Sequence, residues 1–146
     1  MEMNFKSQIC TTRLQSERLF ALGLKKETAD MTIVGVFLGT NEDGTLAFED
    51  VPNAHPPMLK KDIPAWSLHR LIEMLPSLIY PKEELPSFSG YAYLNLTPIA
   101  VWYHYIDYDM EDRTLISWRG NGIFSAVVDA TEWLIKEGYF PKEYLV

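Results

Sequence analysis

Apolar residues recur at helical spacing in three stretches of the chain, and the first of them lies near its beginning. The hydroxyl of Thr11 or Thr12 can accept hydrogen bonds from the free N–H groups at a helix start. Gly23 suits the left-handed conformation that ends many helices. The pattern therefore predicts a helix that ends near Leu22, preceded by a loose leader over residues 1–10.

In the second and third stretches, the apolar residues fall more regularly on one side of the predicted helix. Proline is tolerated in a first helical turn and also stops helices, so a helix is predicted from Pro64 to just before Pro76. Apolar residues cover a wide arc of the segment 123–137, which is predicted to be a helix that lies flat on a sheet and ends at Gly138.

Strands are predicted where β-branched and aromatic residues concentrate. Residues 32–38 and 45–49 are expected to form a hairpin around the turn at 41–44, whose Asp-Gly pair tolerates positive φ. The proline-rich stretches 51–64 and 77–87 are expected to be irregular loops, because proline lacks the N–H group that a strand or helix needs.

Three later segments are predicted to form an antiparallel meander: 88–96, 99–108 and 113–119. A last turn centred on Met110 would place Asp107 opposite Arg113 and Trp102 opposite Trp118, which pairs opposite charges and two aromatic rings. We expect the tryptophan face of this meander to meet the C-terminal helix.

On this register, four tyrosines share the other, partly open face of the meander: Tyr91, Tyr93, Tyr103 and Tyr105. Exposed aromatic rings near an arginine can stack on a partner's side chains, so these tyrosines are a candidate protein interface. The alternative is that the proline-rich loops half-bury them.

Together these elements predict a single α+β domain over residues 1–146. The predicted fold has an antiparallel sheet made of the early hairpin and the three-stranded meander, about three helices, and a C-terminal helix packed on the sheet. Whether the hairpin joins the meander in one sheet is left open by the pattern.

Composition and charge narrow the class of protein. Hydrophobic residues make up 47% of the chain, as in an ordinary folded domain. With 13 basic and 20 acidic residues the net charge is −7, which argues against direct binding to nucleic acid or to an anionic membrane. A lone cysteine, Cys10, and no apolar run of about 20 residues favour a cytoplasmic protein.

The negative charge is concentrated in two segments, 41–50 and 107–112, which contain no basic residue. Such segments are usually solvated loops. The alternative is that they form a docking face for a basic partner, as in an acidic inhibitor of a nucleic-acid-binding host protein.

Catalytic motifs are not evident in the sequence. The three histidines lack a metal-ligand spacing, and there is no nucleophile elbow or phosphate-binding loop. We therefore expect no cofactor and no metal, and an enzyme is the less favoured interpretation.

One turn could still hold a small anion: Arg119, Gly120, Asn121 and Gly122. It lies between a predicted strand and a predicted helix, where free N–H groups and the helix dipole favour negative charge. A phosphate-like or nucleotide-like ligand, or an enzyme that acts on one, is an alternative function here.

Short segments of the chain resemble a known family. They are residues 29–31, 63–68, 133–140 and 142–145, the last two reading Trp-Leu-Ile-Lys-Glu-Gly-Tyr-Phe and Lys-Glu-Tyr-Leu. The family comprises small uncharacterised proteins encoded in prophages and mobile elements of gut Bacteroidales, and it has no assigned activity. The resemblance implies a bacterial, cytoplasmic setting linked to phages or mobile elements. Because catalytic motifs are lacking and the tyrosine face is a candidate interface, our preferred hypothesis is a non-enzymatic accessory protein that acts by protein–protein binding, with a homo-oligomer as one form of this.

Overall fold

A computed structural model describes residues 8–146, which form two compact units. The first contains the described residues up to Arg70 together with Leu145 and Val146, and the second runs from Leu71 to Tyr144. The fold is α+β, as predicted, with three α-helices and two antiparallel sheets in the described part of the chain.

Helix α1 (Arg13–Ala21) begins where the hydroxyl pattern predicts. Thr12 Oγ1 accepts a hydrogen bond from the backbone N–H of Gln15 (3.2 Å), and the Gln15 side chain accepts one from the N–H of Thr12 (3.0 Å). Leu22 closes the helix, and Gly23 follows with a φ of +101°. The local signals therefore located both ends of this helix.

The first sheet has the strand order β2-β1-β3, formed by β1 (Met31–Thr40), β2 (Leu46–Asn53) and β3 (Ile63–Ala65). The predicted hairpin is confirmed, but the expectation of a loop over residues 51–64 is wrong at both ends. Pro52 pairs with Ile33, and Pro64 pairs with Thr32. Both prolines are tolerated because β2 and β3 are edge strands, where a missing N–H need not break a ladder.

The start of the predicted middle helix is also wrong, since β3 occupies the residues around Pro64 and α2 spans only Leu68–Met74. Trp66, between the two, is fully buried, and its indole N–H donates to Thr28 Oγ1 (3.0 Å). The predicted leader lies mostly outside the described residues, but Cys10 is buried and forms a β-bridge with Ser67.

The second sheet has the strand order β4-β5-β6-β7. Its strands are β4 (Leu78–Ile79), β5 (Ala92–Thr97), β6 (Ala100–Ile106) and β7 (Asp112–Arg119). The meander is confirmed, and β4 is a short strand within the expected loop. The early hairpin and the meander belong to separate sheets. Helix α3 (Ile123–Glu137) ends at Gly138 with a φ of +77°, as predicted, and packs on β6 and β7.

The predicted register of the last hairpin is wrong by one or two residues along its length. Asp107 leaves the strand and its carboxylate accepts the backbone N–H groups of Asp109 and Glu111, both at 2.9 Å. The turn therefore closes between Ile106 and Asp112. The pairing next to the turn is therefore two residues from the predicted one, and a bulge farther along β6 reduces this offset to one residue.

This shift separates the two tryptophans. Trp118 lies opposite Val101 on the face covered by α3, where its ring is 5.6 Å from that of Trp133. Trp102 lies opposite Ser117 on the outer face. A slip of one residue moves a side chain to the other side of a sheet, which is why the predicted common tryptophan face does not form.

Candidate functional site

The four candidate interface tyrosines do not share one surface. Tyr103 is fully buried, and Tyr105 is buried against Phe88 with ring centroids 4.5 Å apart. Tyr91 and Tyr93 are each about half exposed, at 52% and 51%. The orientation predicted for Tyr103 and Tyr105 is wrong because it depended on the incorrect register.

The two exposed tyrosines have local aromatic contacts. Tyr91 meets Tyr80 edge-on at 5.5 Å, and Tyr93 lies opposite His104 with ring centroids 6.1 Å apart. These contacts leave about half of each ring open to solvent.

The packing of the Gly-Asn-Gly turn against α3 explains why its first residue is glycine. A Cβ at Gly120 would lie 2.6 Å from Ser125 Oγ, so the close approach of the turn to α3 requires glycine there. Gly122 caps α3 with a φ of +121° and no side-chain hydrogen bond, and Asn121 is exposed.

Arg119, by contrast, lines a groove on the outer face of the second sheet. The groove encloses about 610 Å³ and contains Trp102. It is lined by residues of β6, β7 and the turn between β5 and β6: Thr97, Pro98, Ile99, Ala100, Trp102, Thr114, Ser117 and Arg119. This groove is not among the predictions from the sequence, because the predicted register placed Trp102 on the covered face of the sheet.

The hairpin of β1 and β2 is the most apolar exposed feature of the first unit. In the described structure β3 pairs with β1 only as far as Ile33, so from Val34 onward the hairpin is a two-stranded ribbon. We call residues 34–51 the hairpin arm. Its exposed large apolar side chains are Val34, Val36, Phe37, Leu38, Leu46 and Phe48.

Three of these side chains form a compact patch, which we call the arm cluster: Phe37, Leu46 and Phe48. Phe37 and Phe48 lie opposite each other with ring centroids 5.6 Å apart, and Leu46 lies two residues from Phe48 on the same strand. Their exposed fractions are 55%, 58% and 60%. This is unusually open for residues of this type.

The arm is negatively charged. Arg13 holds the Asp50 carboxylate through two hydrogen bonds, and this contact lowers the pKa of Asp50. Hydrogen bonds from Thr45 lower the pKa of Asp43. Glu42 and Glu49 have no ion-pair partner in the part of the chain that the structure describes. The arm therefore keeps several acidic groups around its apolar cluster.

The second acidic segment is largely paired within its own hairpin. Arg113 contacts both Asp107 (2.9 Å) and Glu111 (2.6 Å), while His104 contacts Asp112 (2.8 Å). Asp107 is buried, and the backbone hydrogen bond from Glu111 and the side-chain hydrogen bond from Arg113 lower its pKa. Its role in the structure is to organise the turn.

The remaining candidates for chemistry are the lone cysteine and any cluster of metal-ligating side chains. Burial raises the pKa of the Cys10 thiol, which disfavours the reactive thiolate. Within residues 8–146, no group of three or more His, Cys, Asp or Glu side chains is arranged to hold a metal ion. In the same part of the chain, no helix has both the length and the apolar character needed to cross a membrane.

No family model, curated protein or solved structure matches the chain, so the geometry described above carries the functional interpretation.

Proposed function

We propose that this protein acts by binding another protein through the hairpin arm. The observation that carries the proposal is the exposed arm cluster of Phe37, Leu46 and Phe48. The resemblance to proteins of prophages and mobile elements favours the role of a non-enzymatic accessory protein in a bacterial host.

The arm cluster has apolar surface that a partner could bury. Burying a large apolar side chain contributes about 1.5–3 kcal/mol, and in the described structure none of the three residues is buried. An exposed apolar patch of this kind is typical of a binding surface. The aromatic pair is also suited to act as an anchor, because interface hot spots are rich in rings that enter a partner's pocket.

The backbone of the arm adds a second means of recognition. Among residues 8–146, no strand pairs with β1 beyond Ile33 on the side away from β2, and β2 is itself an edge strand of its sheet. Unpaired strand edges can accept a strand from a partner, which supplies main-chain hydrogen bonds. A partner can therefore pair with an edge while its pocket receives the arm cluster.

The charge of the arm indicates the chemistry of the partner. Residues 41–50 contain four acidic side chains and no basic one, and only Asp50 is neutralised, by Arg13. A complementary surface has an apolar pocket bordered by Lys and Arg. A second copy of this chain, with a net charge of −7, would bring like charges together, so we propose a different protein as the partner.

Site-specific photocrosslinking tests this proposal. A photoreactive amino acid at Leu46 is compared with one at Met110, an equally apolar and highly exposed position in the second unit. The protein is expressed in a gut Bacteroidales host, the setting that the resemblance implies. We expect one adduct from Leu46 that is absent from Met110 and weakens in high salt, since charge complementarity is screened by salt.

The double variant Phe37→Ser with Phe48→Ser should reduce the Leu46 adduct by at least about tenfold, because anchor residues dominate binding energy. Phe20→Ser, at an exposed aromatic residue of α1, is the matched control and should leave it unchanged. Adducts only with copies of the chain itself, equal adducts from both positions, or none at all would contradict the proposal.

The hypothesis of an acidic inhibitor of a nucleic-acid-binding protein becomes a special case of binding through the hairpin arm. Three of the four acidic side chains of the segment 107–112 are paired locally, namely Asp107, Glu111 and Asp112, so we propose that the basic surface of the partner meets the arm. A nucleic-acid-binding protein is one class of partner with a basic surface, and identification of the Leu46 adduct by mass spectrometry would decide whether the partner belongs to it.

A further inference from the structure

We propose that the groove on the outer face of the second sheet binds a small compound in which a phosphate is attached to a flat ring, the chemistry of a nucleoside monophosphate. This proposal is independent of the hairpin arm, because every residue that lines the groove belongs to the second unit.

The size of the groove suits such a ligand. Small-molecule sites in proteins have volumes of about 300–1,000 Å³, and this groove encloses about 610 Å³. Its floor is the outer face of β6 and β7, and one wall is the turn formed by Pro98 and Ile99. The floor is rigid, because it consists of neighbouring strands in a hydrogen-bonded sheet.

Arg119 provides the charge that recognises the phosphate. It is exposed, and it has no ion-pair or hydrogen-bond partner among the described residues. None of the described residues that line the groove is acidic, although the whole chain has 20 acidic residues. A guanidinium group can form two parallel hydrogen bonds to a phosphate, so this local charge favours an anionic ligand.

Trp102 provides a surface for the ring. Its side chain is half-buried at the groove, two residues along β6 from the small residue Ala100, which also lines the groove. A flat ring that stacks on an indole gains dispersion and electrostatic attraction whatever its substituents. Because the Trp102 indole and the Arg119 side chain line the same groove, one ligand can contact both.

Hydroxyl groups complete the polar part of the groove. Thr114 and Ser117 are exposed on β7, and each offers a donor and an acceptor for a sugar or a phosphate oxygen. The Thr97 hydroxyl has a different role, since it accepts hydrogen bonds from the backbone N–H groups of Ile99 and Ala100 and so holds the turn in place. On the same face, the Asp112 carboxylate is engaged by His104.

Calorimetric titration with adenosine 5′-monophosphate tests the proposal. We expect the wild-type protein to bind it with a Kd below about 1 mM, and adenosine or inorganic phosphate alone to bind at least about tenfold more weakly. Arg119→Gln and Trp102→Leu should each weaken binding by about tenfold or more. Lys142→Gln removes the same charge at an exposed site outside the groove and should change the Kd by less than about twofold.

A further variant distinguishes a loss of binding from a loss of folding. Ser117→Asp places a carboxylate on the exposed surface of the groove, and it should abolish binding while the circular dichroism spectrum and melting temperature stay close to those of the wild type. The proposal is overturned if the wild type binds no adenosine monophosphate up to about 5 mM, a negligible affinity. It is also overturned if the three groove variants bind as well as Lys142→Gln, or if adenosine or phosphate alone binds as tightly.

Discussion

The hydroxyl of Tyr103 donates a hydrogen bond of 2.7 Å to the carbonyl oxygen of Pro76, and the tyrosine side chain is fully buried. Burial raises the pKa of Tyr103, so the phenol remains protonated and continues to act as a donor. The bond satisfies the one polar atom of a large core side chain and ties β6 to the segment that follows α2.

Tyr103→Phe should lower the free energy of unfolding by about 1 kcal/mol, because it leaves the Pro76 carbonyl without this donor while keeping the ring. Chemical denaturation of the two proteins measures the difference. Tyr93→Phe is the control, since its ring is half exposed, and it should have an effect below about 0.5 kcal/mol. Equal effects of the two substitutions would mean that the buried hydrogen bond contributes nothing.

Thr32 should be a site where removing a polar atom stabilises the protein. Its Oγ1 is buried and has no hydrogen-bond partner among the described residues, whereas Thr11 Oγ1 accepts the N–H of Trp66 at 3.0 Å. We expect Thr32→Val to raise the free energy of unfolding by about 1 kcal/mol and Thr11→Val to lower it by about 1–3 kcal/mol. Urea denaturation of both variants checks this, and a loss of stability in Thr32→Val would contradict it.

Asp107 should contribute stability that is lost in acid. The folded protein holds the pKa of this carboxyl below its ordinary value, so its contribution is present at neutral pH and disappears as pH falls below about 4. Asp107→Asn should therefore be less stable than the wild type at pH 7, with the difference shrinking toward pH 2. A series of denaturation curves over this range measures it, and a constant difference would be the contrary result.

Gly120 should tolerate no side chain. A Cβ at this position would lie 2.6 Å from Ser125 Oγ, while one at Gly35 would lie 4.0 Å from Phe48, at ordinary contact distance. Gly120→Ala should lower the free energy of unfolding by about 1–3 kcal/mol because the turn must move away from α3. Gly35→Ala is the matched control, and thermal unfolding should show it close to the wild type.

Local sequence signals determined the ends of α1 and α3 and the existence of the hairpins, but not the start of α2. Thr12 and Gln15 cap α1 through neighbouring backbone atoms, and Gly138 ends α3 in a conformation that few other residues adopt. These interactions involve residues only a few positions apart, so the sequence alone could locate the helix ends, although the part of Gln15 in the cap was not predicted.

Only the tertiary structure decided which side of the last hairpin is covered. The Asp107 carboxylate accepts hydrogen bonds from backbone N–H groups of its own turn, so this residue lies outside the strand. A bulge beside Tyr103 then changes the register by one residue. The side-chain period of a strand is two residues, so these small displacements moved Trp102 outward and Tyr103 inward. The register depends on contacts between separate strands, so it cannot be predicted from the order of apolar and polar residues within either strand.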